Sequence, residues 1–103
     1  MYFDKKVFIV PIKRGKGMMN TSKLSGMVVH MIVRPQSEDT IWDLALIDKE
    51  GDEICEIKEY DGRLDDKSGL PLGKDKQEKI TIQFDNVTKN EPIKVIFKTQ
   101  EIV

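Results

Sequence analysis

Residues 40–60 read TIWDLALIDKEGDEICEIKEY, and their alternation decides the fold class. From Thr40 to Ile47, Trp42, Leu44 and Leu46 recur at a period of two on one face, the spacing of a half-buried strand. Asp48 to Asp52 then forms a polar turn, with Gly51 at the position suited to a positive φ. Glu53 to Tyr60 returns, with Cys55 and Ile57 facing one side. Two such runs joined by a short turn predict an antiparallel hairpin.

The same period extends in both directions. Residues 24–34, LSGMVVHMIVR, are the longest strand candidate. One face carries Leu24, Val28, His30 and Ile32, and the other Met27, Val29, Met31 and Val33. Both are largely apolar, which predicts a central strand or one covered on both sides. Residues 7–12, VFIVPI, form an earlier strand that Pro11 ends or confines to an edge. Residues 13–23 read as a loop, and residues 61–76 read mainly as loop. Gln77 to Phe84 and Ile93 to Thr99 complete the set, with Ile80, Ile82, Phe84, Ile93, Val95 and Phe97 inward. No helical-length window keeps an apolar stripe free of Gly, Pro or a β-branched run, and a parallel sheet has no room for its crossover helices. The prediction is all-β: a single-domain antiparallel β-sandwich or barrel of about six or seven strands over residues 1–103. An N-terminal arm is expected at 1–6 and the sandwich core at 24–101, with Trp42, Phe84 and Phe97 buried.

Composition narrows the function. The 103 residues hold one Cys and one His, which excludes an intrachain disulfide, a multi-Cys zinc site and a His cluster. The net charge of −1 argues against a dedicated polyanion binder, so no nucleic-acid partner is expected. The charge is uneven along the chain. Residues 1–34 hold seven bases and one acid, whereas residues 48–67 hold nine acids and four bases. Interleaved on a surface, these charges give only solubility; segregated, they make complementary faces that steer self-association or docking. Asp4, Lys5, Lys6 and Pro11 interrupt the start, unlike a signal peptide, and the apolar run Met27 to Val33 is too short to span a bilayer. A chain folding in water with no membrane partner is expected.

The reactive side chains have modest settings. His30 sits mid-strand with no acid adjacent in sequence, as a half-buried sheet histidine does. Cys55 lies near Glu53 and Glu56, and carboxylates raise a thiol's pKa, so it reads as a small core residue. The acids Asp48, Glu50, Asp52 and Glu53 do not follow the order of a calcium loop, and Asp61, Asp65 and Asp66 offer only a weak alternative. Arg14-Gly15-Lys16-Gly17 alternates Gly with charge but precedes no helix, and Gly69 to Lys74 lacks the spacing of a phosphate loop. No enzyme, catalytic residue, metal or cofactor is therefore expected. Met18 and Met19 in a polar loop, and Tyr2 and Phe3 in the arm, are the candidate interface residues.

From residue 24 onward the turn signals form a pattern. Ser25-Gly26-Met27-Val28-Val29-His30 leads to Ile32-Val33-Arg34-Pro35, and Thr40-Ile41-Trp42-Asp43 to Leu46-Ile47-Asp48-Lys49-Glu50-Gly51. Gly62-Arg63-Leu64, Leu70-Pro71-Leu72-Gly73, Ile80-Thr81-Ile82 and Asp85-Asn86-Val87-Thr88-Lys89-Asn90 follow, then Lys94-Val95-Ile96-Phe97 and Gln100-Glu101. Over about residues 24–101 this resembles the small β-sandwich structural proteins of tailed bacteriophages. The resemblance implies a virion component made in the host cytoplasm, either a capsid decoration protein that stabilises the shell or a head or tail accessory protein. Its partners would be the major capsid protein or other virion proteins, and self-association would suit the role. The resemblance implies no catalytic residues. The alternative is a soluble ligand-binding β-sandwich, for carbohydrate or Ca²⁺-assisted contacts, with its site at Asp61 to Asp66 and Trp42 exposed as a platform.

Overall fold

The computed structural model describes residues 3–24, 27–71 and 79–100, with the side chains of Phe3, Leu70 and Pro71 left aside. Its strands are β1 (Phe3–Val10), β2 (Gly17–Asn20), β3 (Met27–Pro35), β4 (Ile41–Ile47), β5 (Glu53–Asp61), β6 (Leu64–Asp66), β7 (Leu70–Pro71), β8 (Thr81–Asp85) and β9 (Ile93–Gln100). One sheet runs β1-β9-β3-β6, with β7 also beside β3, and the other runs β2-β8-β4-β5. Every pairing is antiparallel. The fold is the predicted all-β sandwich. Val10, Val28, Met31, Val33, Val95 and Phe97 from the first sheet meet Trp42, Leu44, Leu46, Ile82 and Phe84 from the second in one core. Trp42, Phe84 and Phe97 are fully buried, as their inward alternation predicts.

The β4–β5 hairpin forms as read, and β3 is central, between β9 and β6. Three short strands lie where the sequence suggests loop. Of these, β2 is the most informative. Arg14 (φ 55°) and Gly15 (φ 75°) make a two-residue turn closed by Lys13 N–H to Lys16 O (2.8 Å) and Lys16 N–H to Lys13 O (3.1 Å). Gly17 then passes so close to the end of β1 that a Cβ there would lie 2.5 Å from the Pro11 carbonyl oxygen. The glycines that look like loop markers are what allow this tight hairpin. The arm expected at residues 1–6 is, from Phe3 onward, the start of β1, because the edge of β9 pairs with it from Phe3–Gln100 to Val10–Ile93. The buried core likewise begins upstream of residue 24, at Val10 and Ile12.

Simple alternation fails in β3. Val28 pairs with Thr99 and His30 with Lys98, so Val29 is an extra residue, a β-bulge. The bulge shifts the phase: Val28, Met31 and Val33 enter the core, and His30 and Ile32 turn to the outer face. A second bulge opposes Asp43 to Lys58 and Glu59. There the Asp43 carboxylate accepts the Glu59 N–H (2.7 Å) and the Asn86 side-chain amide (2.8 Å). It thereby fastens the two residues, Glu59 and Asn86, each held at φ 51°.

Candidate functional site: a basic and apolar sheet face

The register places three rows across the outer face of the first sheet. The middle row is aliphatic: Val7 beside Ile96, Ile96 beside Ile32, ending at Asp65 on β6. On one side lies Ile9–Lys94–Arg34, and on the other Lys5–Lys98–His30. A strip of aliphatic side chains is thus flanked by Lys94 and Arg34 on one side and by Lys5 and Lys98 on the other. Val7 and Ile9 are 46% and 56% exposed, whereas Ile32 and Ile96 are nearly covered, consistent with long basic stems lying over them.

Two of these neighbouring pairs set like charges directly opposite each other, Arg34 with Lys94 and Lys5 with Lys98. Such pairs oppose sheet formation. Among the described residues, no ion pair relieves Lys5, Arg34, Lys94 or Lys98. Toward the Pro35 end the face deepens into an open groove of about 580 Å³, lined by Ile9, Ile32, Arg34, Arg63, Asp65 and Lys94 among others. Arg63 also reaches Glu38 (3.5 Å). A surface of this kind attracts an anionic partner and offers it an apolar floor.

The sequence-predicted reactive groups are kept apart. His30 is on this outer face, hydrogen-bonded through Nε2 to the Asp65 carboxylate. That hydrogen bond holds the Asp65 carboxyl below its usual range. Cys55 lies on the second sheet opposite Leu46, packed against the core. Burial first, then the charges of Asp66 and Glu53, push its thiol up, away from the reactive thiolate. Asp65 faces outward to His30, while Asp66 accepts the Ser68 N–H (2.8 Å) and hydroxyl (2.6 Å). Among the described residues, no three His, Cys, Asp or Glu side chains converge as a metal-ligand set. Gly15 N–H donates to Asn90 Oδ1 (2.9 Å), so the Arg14–Gly17 turn has that donor already engaged. Trp42 is fully buried with its Nε1–H donated to Gly62 O (2.8 Å), which removes the aromatic platform a carbohydrate site there would need.

Of the four candidate interface residues, Met18 is 63% exposed, and Met19, pointing the other way, packs half-buried on the core. Phe3 pairs through its backbone with Gln100, and Tyr2 lies outside the described residues. The groove cations Arg34, Arg63 and Lys94 were not among those candidates. The basic surplus of residues 1–34 signals Arg34 alone; it says nothing of Arg63, which lies in the acidic segment, or of Lys94, brought in by β9.

No protein-family model matches the chain, and no curated protein matches it. Among solved structures, a chain in the structure of infectious bursal disease virus Gt strain is similar at a TM-score of 0.35 and 8% identity. The alignment covers 99% of this chain but 36% of that one, and a likeness at this score carries no argument about fold or role.

Proposed function

We propose that this chain is a non-enzymatic structural protein of a virus particle, one that docks on a protein shell as a decoration or head–tail accessory module. The observation that carries the docking role is the exposed face of unrelieved cations around an aliphatic strip. The spatial separation of His30 from Cys55 supports a role without catalysis. The virion setting rests on the resemblance of residues 24–101 to phage sandwich proteins. On a symmetric shell, a weak contact repeated many times becomes firm attachment through avidity.

The test is mass spectrometry of gradient-purified particles from the source of this chain. A copy number comparable to the main shell subunit is the expected result for a decoration protein. A few copies per particle would shift the role to a vertex, neck or tail, and complete absence would sink the virion reading.

A further inference from the structure

The acidic turn and the basic groove lie at opposite ends of an elongated molecule. The groove is bordered by Arg34 and Pro35, where β3 ends. After five intervening residues β4 starts at that same end, and Ile41 is held there by Thr88 N–H to Ile41 O (3.0 Å). β4 then runs its seven residues, roughly 20 Å, before the turn at Asp48–Asp52. The principal extents are 40 × 26 × 19 Å.

The turn is a hydrogen-bonded, projecting loop that carries three acids, Asp48, Glu50 and Asp52, against one base, Lys49. Asp48 Oδ1 accepts both the Glu50 N–H and the Asp52 N–H (2.9 Å each), and Asp52 O accepts Asp48 N–H (2.8 Å). Glu50 and Asp52 are exposed, and a Cβ on Gly51 would meet nothing within 4 Å. A pre-ordered loop gives up little entropy on binding. At the other end, Arg34 and Lys94 face each other with no ion pair to either among the described residues, and Asp65, the acid lining the groove, is hydrogen-bonded to His30. The anions that complement the groove are therefore present on the same chain, out of its own reach and within reach of a neighbour.

We infer that the groove at Arg34, Arg63 and Lys94 receives the Asp48–Asp52 turn of a second copy, joining copies head to tail. The contact is heterologous, so successive copies form a ring or an open row according to the rotation between them. The inference deepens the docking reading above and rests on it for its setting. A turn seated in a single groove is a small interface, so the contact is weak in dilute solution and depends on salt.

The experiment is sedimentation velocity of the full chain across a concentration series, with two charge-reversal pairs. One reverses the groove (Arg34→Glu with Lys94→Glu) and the other the turn (Glu50→Lys with Asp52→Lys). All four positions are exposed, and circular dichroism confirms that each variant folds. The wild type is expected to associate, at least about tenfold more weakly when salt rises from about 50 to 300 mM. Each variant alone is expected to be monomeric, since both of its ends then carry the same sign. An equimolar mixture of the two is expected to associate again, because every turn then meets a groove of opposite sign. A wild type that stays monomeric at low salt and high concentration overturns the inference, as does association that survives in either variant or a mixture that stays monomeric. A monomer whose Arg34 and Lys94 instead bind a DNA duplex also overturns it, in favour of a nucleic-acid surface. None of these failures alters the particle copy number, so the virion reading stands or falls separately.

Discussion

The corner around Trp42 and the groove beside Arg34 lie at the same end of the sandwich and are built on opposite terms. At the corner almost every polar group is matched. Trp42 packs edge-on to Phe84 (5.8 Å between centroids) and tilted on Tyr60 (5.1 Å), its indole N–H bound to Gly62 O. Gly62 N–H donates in turn to Thr40 O (2.8 Å), and Asp43 ties Glu59 to Asn86. Among the described residues, the buried exception is the Thr40 hydroxyl, which has no partner. In the groove the cations Arg34 and Lys94 sit side by side, and the acid that lines the groove, Asp65, is hydrogen-bonded to His30. The corner's interactions are used in folding; among the described residues, Arg34 and Lys94 of the groove are in no ion pair within the chain.

If that contrast is right, changes at the corner alter stability and changes in the groove alter association. Trp42→Ala should have the largest effect, a loss of about 3–5 kcal/mol in chemical denaturation, because it empties a fully buried site. Gly62→Ala comes next. Gly62 sits at φ 84°, and a Cβ there would lie 2.8 Å from the Glu38 carbonyl oxygen, so about 2 kcal/mol or more should be lost. Ala at Gly51, also at positive φ but facing open space, should cost less, about 1 kcal/mol, which isolates the contribution of the clash.

Asp43→Asn should cost about 1–2 kcal/mol and also change the acid profile. The Glu59 N–H, and then the Asn86 amide, hold the Asp43 carboxyl below its usual range. Its contribution is therefore full above the unfolded-state value near 4 and is lost as pH falls through the lower folded value. Thermal melts from about pH 6 down to about pH 2 should show a shallower fall in Tm for the variant. Part of the slope should remain, because Asp65 and Asp66 are also held low, by His30 and by Ser68. The smallest change in stability is expected for Arg34→Glu. Replacing a like-charge pair by an opposite one should leave stability unchanged or raise it slightly, by about 0.5 kcal/mol, while association is lost. A large destabilisation there would mean that the groove belongs to the folding machinery after all, and the contrast would fail.

How much of this could be read from the chain differs from strand to strand. β4 and β5 are legible because one face is apolar and the connecting turn carries its glycine at the required place. β3 is apolar on both faces, so alternation offers no phase to choose by. The bulge at Val29, which turns His30 outward to Asp65, leaves no local mark. β2 is hidden by the glycines that make its hairpin tight. The candidate site was half visible: the segregation of charge could be counted, but not the pairing of Arg34 with a lysine sixty residues away.

The sequence by itself determined the all-β class, the central hairpin, the three large aromatic core residues and the poor prospects of Cys55 as a nucleophile. The first three follow from short-range rules, a period of two and the conformations glycine permits; for Cys55 the nearby Glu53 gives the direction, and burial and Asp66, supplied by the fold, add the larger causes. Only the tertiary structure decided which side His30 faces, that Phe3 onward belongs to a sheet, and that the cations gather at one end while the acidic turn projects from the other. Those outcomes depend on strand register and on contacts between distant segments. Register is set by how the whole core packs, and no local window contains that information.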